Sequence, residues 1–316
     1  MATLSAWIKA GRPRTLPLAV SCVLIGAAVA RMYDGVSNYT SSENERFFIV
    51  VSLAVLTVVF LQVLANFAND YGDFKKGTDG PERSDRAMAS GEITEVEMKR
   101  ALIATSVKGF VAGLATIGFA FDFQIEAMTQ GFGVLVLVIL GVFGIAAALR
   151  YTMGSKSYGY KGLGDVYVML FFGYIGVLGV AYLLSHRFEI VWLLPASFSG
   201  LMAVAVLNLN NLRDHENDKK HNKNTLVVRL GFEGGKRYHA GLLIIAWGLM
   251  LPFILGWGDM VSWRGGMWYV LIGLVQMNHL VFVVRNKEPR LLDPELKKVA
   301  LSSFVVALFM FLTVTV

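Results

Sequence analysis

Two short stretches of this chain concentrate the side chains that can hold a cation against a phosphate. The first runs from Gln62 through Asn66, Asn69, Asp70 and Asp73 to Lys75, Lys76 and Asp79. The second runs from Asn208 through Asn210, Asn211, Arg213, Asp214 and Glu216 to Asp218, with Lys219, Lys220, Lys223 and Arg229 behind it. On a helix Gln62, Asn66, Asn69 and Asp73 step by four, three and four, so they form one polar stripe, with Asp70 beside it. Asp214 shares a face with Asn210 and with Asp218 for the same reason. Asn69 to Asp73 and Asn210 to Asp214 have equal spacing.

Carboxylates and amides are hard oxygen donors. They suit Mg²⁺, which prefers one or two carboxylates plus substrate phosphates. Bridged to a diphosphate, such ions offset the charge that builds on a leaving group, and nearby lysines and arginines add to the effect. The residues placed to do so are Lys75, Lys76, Arg83, Arg86, Arg150, Lys161, Arg213 and Lys223. Two such clusters with basic loops point to ionisation of a lipid diphosphate.

The elements that carry them must be membrane helices. Of 316 residues 55% are hydrophobic and only 16% charged, well below the charge of a soluble domain. The apolar residues fall in blocks of about 20, the length that crosses a bilayer core, without the alternation of a barrel strand. Nine blocks are predicted: 15–33, 47–68, 100–119, 131–149, 163–184, 190–210, 239–256, 266–284 and 297–316. A polar stripe in such a helix is costly unless it faces a cavity or partner. The fold class is therefore an all-α polytopic membrane protein, one domain over 1–316.

Lysine and arginine placement orients the spans. With the N-terminus cytoplasmic, 24 of the 29 basic residues lie on the cytoplasmic side, in 1–14, 70–100, 150–162, 211–237 and 285–298. The outer loops hold only Arg31, Arg46, Arg187 and Arg264. The positive-inside rule then places both clusters at the cytoplasmic face and the C-terminus outside. Each cluster ends an even-numbered span, and Asn69 and Asn210 are 141 positions apart, as a duplication with halves near 1–150 and 151–316 would leave them. The net charge of +6 is spread over short loops, which fits membrane orientation and phosphate binding and not nucleic acid.

Other features read as structural. The single Cys22 excludes an internal disulfide and a cysteine-based metal site. His215 and His221 lack a zinc spacing. Thr94 and Glu97 have capping-box spacing, and Gly173 and Gly176 read as helix-packing positions. The charged start at Lys9, Arg12 and Arg14 is followed by no clear cleavage site, so 15–33 is read as a retained span.

At these residues the chain resembles the UbiA superfamily of intramembrane aromatic prenyltransferases, and within it the branch that prenylates 1,4-dihydroxy-2-naphthoate. The likeness is carried by Lys9-Ala-Gly-Arg-Pro-Arg-Thr-Leu-Pro17, Asn69-Asp-Tyr-Gly-Asp-Phe-Lys-Lys-Gly-Thr-Asp79, Arg86-Ala-Met-Ala-Ser-Gly91, Tyr151-Thr-Met-Gly, Gly159-Tyr-Lys-Gly-Leu-Gly-Asp165 and Asn210-Asn-Leu-Arg-Asp214 through Thr225. It implies nine helices around a central cavity open sideways to lipid, in a cell inner membrane. It implies a first Mg²⁺–diphosphate site at Asn69, Asp70, Asp73 and Asp79, and a second at Asp214 and Asp218. The substrates implied are a polyprenyl diphosphate and 1,4-dihydroxy-2-naphthoate, joined with loss of CO₂. Tyr151 is a candidate stabiliser of the allylic cation. Arg14, Asn66, Asp165, Asn210 and Asn211 are candidates for the acceptor pocket. Ser155 and Asn222 depart from the branch pattern, where Pro and Gly are usual. Three other readings stay open at this point: another acceptor, such as 4-hydroxybenzoate, homogentisate or haem; a transporter; and a purely structural membrane subunit.

Overall fold

In the computed structural model of the chain, residues 2–34, 40–79, 86–124, 133–154, 157–256 and 263–315 are described. Arg83 and Ser155 lie outside them. The described residues form helices and no strand: α1 (Leu4–Gly11), α2 (Leu16–Asp34), α3 (Ser41–Lys75), α4 (Glu95–Ala120), α5 (Gly133–Arg150), α6 (Gly164–Ser185), α7 (Leu193–Lys220), α8 (Leu226–Gly256), α9 (Trp263–Arg285) and α10 (Asp293–Thr315). Among the described residues nine stretches are long and apolar enough to cross a membrane, one for each block read in the sequence.

Two of these are interior. The apolar window of α2 is 78% buried and that of α7 61%, against 6% for α5, which lies at the periphery and packs one side on α3 and α4. Around α2 stand α3, α6, α7 and α10, while α7 packs on α6 and α8. The main core follows from this arrangement: Val23, Ile25, Ala27 and Ala28 of α2 meet Phe198, Met202, Ala205 and Leu209 of α7. In lipid, close packing needs small side chains. Gly173 and Gly176 supply them within a π-helical stretch of α6, Met169–Leu178. A Cβ on Gly173 would come within 2.8 Å of the Ala196 carbonyl, and one on Gly176 within 2.8 Å of Cys22 Sγ. The packing role read for these glycines is thus seen.

The helices outrun the apolar blocks at the end of the bundle that carries the polar clusters. Thr94 and Glu97 form the anticipated capping box at the start of α4, and Thr40 and Glu43 form another on α3. From there α3 continues to Lys75, seven residues past its block, and α7 continues to Lys220. The first cluster as far as Lys75 and the whole of the second therefore ride on helix, while Lys76 and Asp79 lie just past the end of α3. The short α1 docks beside them: Ala6 and Ala10 are buried against Phe67, Ala68 and Tyr71 of α3 and against Met88 and Ile93, while Leu4 and Ile8 face outward. Leu4 and Ile8 give α1 the apolar outer side of an interfacial helix.

Candidate active site

The polar stripe of α3 divides into two parts. Gln62 Nε2 donates to Thr15 Oγ1 at 3.0 Å, and Asn66 Nδ2 donates to the Gly11 carbonyl at 2.8 Å and to Thr15 at 3.1 Å. This half of the stripe anchors the segment between α1 and α2. Asn66 is thus engaged through its Nδ2 with a backbone carbonyl and a hydroxyl. The other half faces charge. Oriented to satisfy both its ends, the Asn69 amide donates to Asp73 Oδ2 at 3.0 Å and accepts from Arg12 at 2.9 Å. Arg12 holds a left-handed backbone conformation, φ 48°, and its guanidinium is buried beside Asp70, Asp73 and Asp79. A buried cation among buried carboxylates offsets their desolvation. Arg86 lies 3.6 Å from Asp79, and Asp70 accepts from the Met88 amide at 3.4 Å.

Lys223 joins the two clusters. Its ammonium stands 3.5 Å from Asp73 on α3 and 3.8 Å from Asp218 on α7, with all three side chains nearly buried. Burial alone would pull this lysine down, but Asp73 and Asp218 outweigh it and hold Lys223 above the ordinary lysine range. A second tie crosses the same gap, where Asn217 Nδ2 donates to the Thr78 carbonyl at 3.1 Å. Tyr160 completes the junction, its hydroxyl donating to Asp73 Oδ1 at 2.8 Å. Lys76 bonds Ser157 and lies 3.7 Å from the Tyr160 ring centroid. Burial pulls Lys76 below the usual lysine range, and Lys223 adds to the effect against Asp73. Tyr151 is within electrostatic reach of Lys223, Asp73 and Asp218, and burial pushes its phenol up to about 12, so the ring stays neutral.

Asp214 is placed differently. Arg213 holds its carboxylate through Nε at 2.9 Å and Nη2 at 2.7 Å, and bonds Asp293 with its remaining nitrogen. Asp293, at the start of α10, also accepts from Arg14 through both oxygens at 3.0 Å. Arg14 lines a cleft of ≈ 350 Å³ with Lys9, Arg12, Arg86 and Asp70, near the C-terminal end of α3.

Several anticipated residues are not brought to this junction. Lys75 pairs with Glu95 on α4 at 2.9 Å. Arg150 and Lys161 are exposed, and the Lys161 carbonyl accepts from Arg229 at 2.6 Å. Asp165 accepts from Tyr238 at 2.8 Å. Asn210 bonds back to the Val206 carbonyl at 3.4 Å, and Asn211 is buried in α7. Conversely Arg12, Tyr160 and Asp293 escaped the sequence reading. Arg12 and Tyr160 stand inside motifs that carry the family likeness, but Asp293 stands in none.

Among the described residues no three His, Cys, Asp or Glu side chains are grouped to hold a metal by themselves. The buried oxygens of Asp70, Asp73, Asp79 and Asp218 nevertheless fit Mg²⁺ when a substrate's phosphate oxygens complete its sphere, the usual arrangement for this ion.

The profile of the UbiA prenyltransferase family matches residues 21–304. The chain belongs to the UbiA prenyltransferase family. It is a multi-pass membrane prenyltransferase. It is 39% identical over 305 residues to the 1,4-dihydroxy-2-naphthoate octaprenyltransferase of Haemophilus influenzae, covering 96% of this chain and 93% of that one. Identity to the Escherichia coli protein of the same name is 40% over 300 residues, covering 93% and 89%. Two solved UbiA homologues share the fold. The one from Aeropyrum pernix has TM-score 0.64 and 14% identity, over 94% of this chain and 96% of its own. The one from Archaeoglobus fulgidus, bound to GPP and Mg²⁺, has TM-score 0.58 and 15% identity, over 98% and 100%.

Proposed function

We propose that this family member transfers a polyprenyl group from polyprenyl diphosphate to 1,4-dihydroxy-2-naphthoate, with loss of CO₂, giving demethylmenaquinone. The names of the relatives at 39% and 40% identity support the acceptor. The observation that carries the chemistry is the junction of Asp73, Lys223 and Asp218, which sets carboxylates of both clusters around one buried cation.

In this reading Asp70, Asp73, Asp79 and Asp218 would hold Mg²⁺, with Asn69 fixing Asp73. The bound ions would supply positive charge to the departing diphosphate. Lys76, Lys223 and Arg86 act on the same oxygens, neutralising charge as the allylic carbon–oxygen bond breaks; Arg83 joins them on sequence alone. Asp214, gripped by Arg213, serves to aim that guanidinium at the diphosphate. The ring carbon of the acceptor then attacks the allylic cation, whose charge the Tyr151 face stabilises. Arg14 and the cleft it lines receive the acceptor. We further read the N-terminus and the site as cytoplasmic and the C-terminus as outside, in a cell inner membrane, on the placement of 24 of 29 basic residues. The matched positions of Asp73 on α3 and Asp214 on α7 support two pseudo-repeat halves.

The test is prenyl transfer by purified protein in detergent with Mg²⁺, against a panel of acceptors. Product with the naphthoate that disappears with EDTA is the expected result. Product with 4-hydroxybenzoate alone would keep the chemistry and move the acceptor.

A further inference from the structure

Tyr160 touches both loops that carry the basic side chains. Its hydroxyl is 2.8 Å from Asp73 Oδ1 and 2.6 Å from Thr78 Oγ1. A phenol has one proton, which goes to the carboxylate, so the Thr78 hydroxyl donates to it in turn. Its ring lies 3.7 Å from the Lys76 ammonium and 5.3 Å from that of Lys223, centroid to nitrogen. Its carbonyl accepts from the Asn224 amide at 3.1 Å, fixing the residue to the loop that presents Lys223.

These contacts divide the Asp73 carboxylate. Oδ2 meets Asn69 and Lys223, so both its lone-pair directions are taken, whereas Oδ1 meets Tyr160 and keeps one direction free of partners among the described residues. The ring also answers a second difficulty. Lys76 and Lys223 are like charges crowded beside one carboxylate, and an aromatic face attracts each of them.

We propose that Tyr160 is a positioning residue of the diphosphate site: its hydroxyl turns one oxygen of Asp73 toward the incoming ion, and its ring holds Lys76 and Lys223 as a pair of cations. This rests on reading the junction as a diphosphate site. Tyr160 acts through Asp73 and the lysines and does not touch the reacting carbon. The two halves of the side chain therefore have separable effects.

The test uses the full chain in detergent, with inorganic pyrophosphate as probe. Calorimetry measures pyrophosphate binding at several Mg²⁺ concentrations, and steady-state rates give kcat and the half-saturating Mg²⁺. Tyr160→Phe keeps the ring and loses the bond to Asp73; the half-saturating Mg²⁺ is expected to rise about tenfold, with kcat at saturating Mg²⁺ within about twofold of wild type. Tyr160→Leu removes the ring as well and is expected to weaken pyrophosphate binding about fivefold further. Thermal melting confirms that each variant is folded, and Tyr160→Phe decides the matter alone if Tyr160→Leu is not. Wild-type Mg²⁺ dependence in Tyr160→Phe would overturn the proposal. So would a fall in kcat with unchanged Mg²⁺ and pyrophosphate affinity. If the wild type binds Mg²⁺ and pyrophosphate but does not prenylate the naphthoate, the acceptor reading falls and the Tyr160 comparison stands. If it binds no pyrophosphate, both fall.

Discussion

Arg213 holds Asp214 through two parallel hydrogen bonds, and the same guanidinium reaches Asp293 at the start of α10. Asp293 in turn holds Arg14 beside the cleft. One half-buried carboxylate thereby holds two arginines, both at its Oδ1. Asp293→Asn is expected to loosen both, raising KM for the prenyl diphosphate about fivefold, the scale of a partly exposed ion pair of about 1 kcal/mol. The melting temperature should barely move. A KM equal to wild type would mean that the arginines are held by the rest of the fold.

The backbone beside Asp73 is closely packed as well. The neighbouring Gly72 packs on Thr152, whose hydroxyl donates to the Ala68 carbonyl at 2.6 Å. A Cβ on Gly72 would stand 2.5 Å from Thr152 Oγ1 and 2.7 Å from its backbone carbon. Gly72→Ala should therefore lift the 151–154 turn from α3, lowering stability by about 1–3 kcal/mol and displacing Tyr151 with it. Thermal unfolding in detergent and the rate of prenyl transfer check this together; a stable and fully active variant would contradict it.

A polar chain outside the site ties the last three helices. His239 Nε2 on α8 lies 2.9 Å from His279 Nε2 on α9, and His279 Nδ1 lies 2.5 Å from Glu295 on α10. Glu295, buried, also accepts from Lys298. Removing one member of a buried charged network costs about 3–5 kcal/mol, and because Lys298 is half exposed the lower end is expected for Glu295→Ala. A drop of several degrees in melting temperature would bear this out, and no drop would show the network to be incidental.

The orientation can be read chemically, since the single Cys22 is buried and gives little background. Gln124→Cys and Lys220→Cys sit at exposed positions on opposite ends of the bundle. A membrane-impermeant maleimide added to intact cells should label the first at once and the second only after permeabilisation. The reverse order would invert the topology.

The spans were legible because a bilayer demands long apolar blocks, and the Asp clusters because polar residues at helical spacing stand out against them. Hydropathy could not show that α3 and α7 continue to Lys75 and Lys220, since it marks only the part in lipid. Nor could spacing reveal partners from distant segments. Arg12 reaches the first cluster by a turn between α1 and α2, Tyr160 by the loop before α6, and Asp293 from the far end of the chain. For the same reason Lys75 looked like a diphosphate ligand: adjacency to Asp73 in sequence says nothing of Glu95 on the neighbouring helix.

The central claim is that both clusters serve one diphosphate. Pyrophosphate binding at saturating Mg²⁺, measured for wild type, Asp73→Asn, Asp218→Asn and the double variant, tests it most directly. Each single change is expected to weaken binding about tenfold or more, and the double change far less than the product of the two, because coupled residues are not additive. Fully additive losses, or wild-type affinity in either single variant, would contradict a shared site.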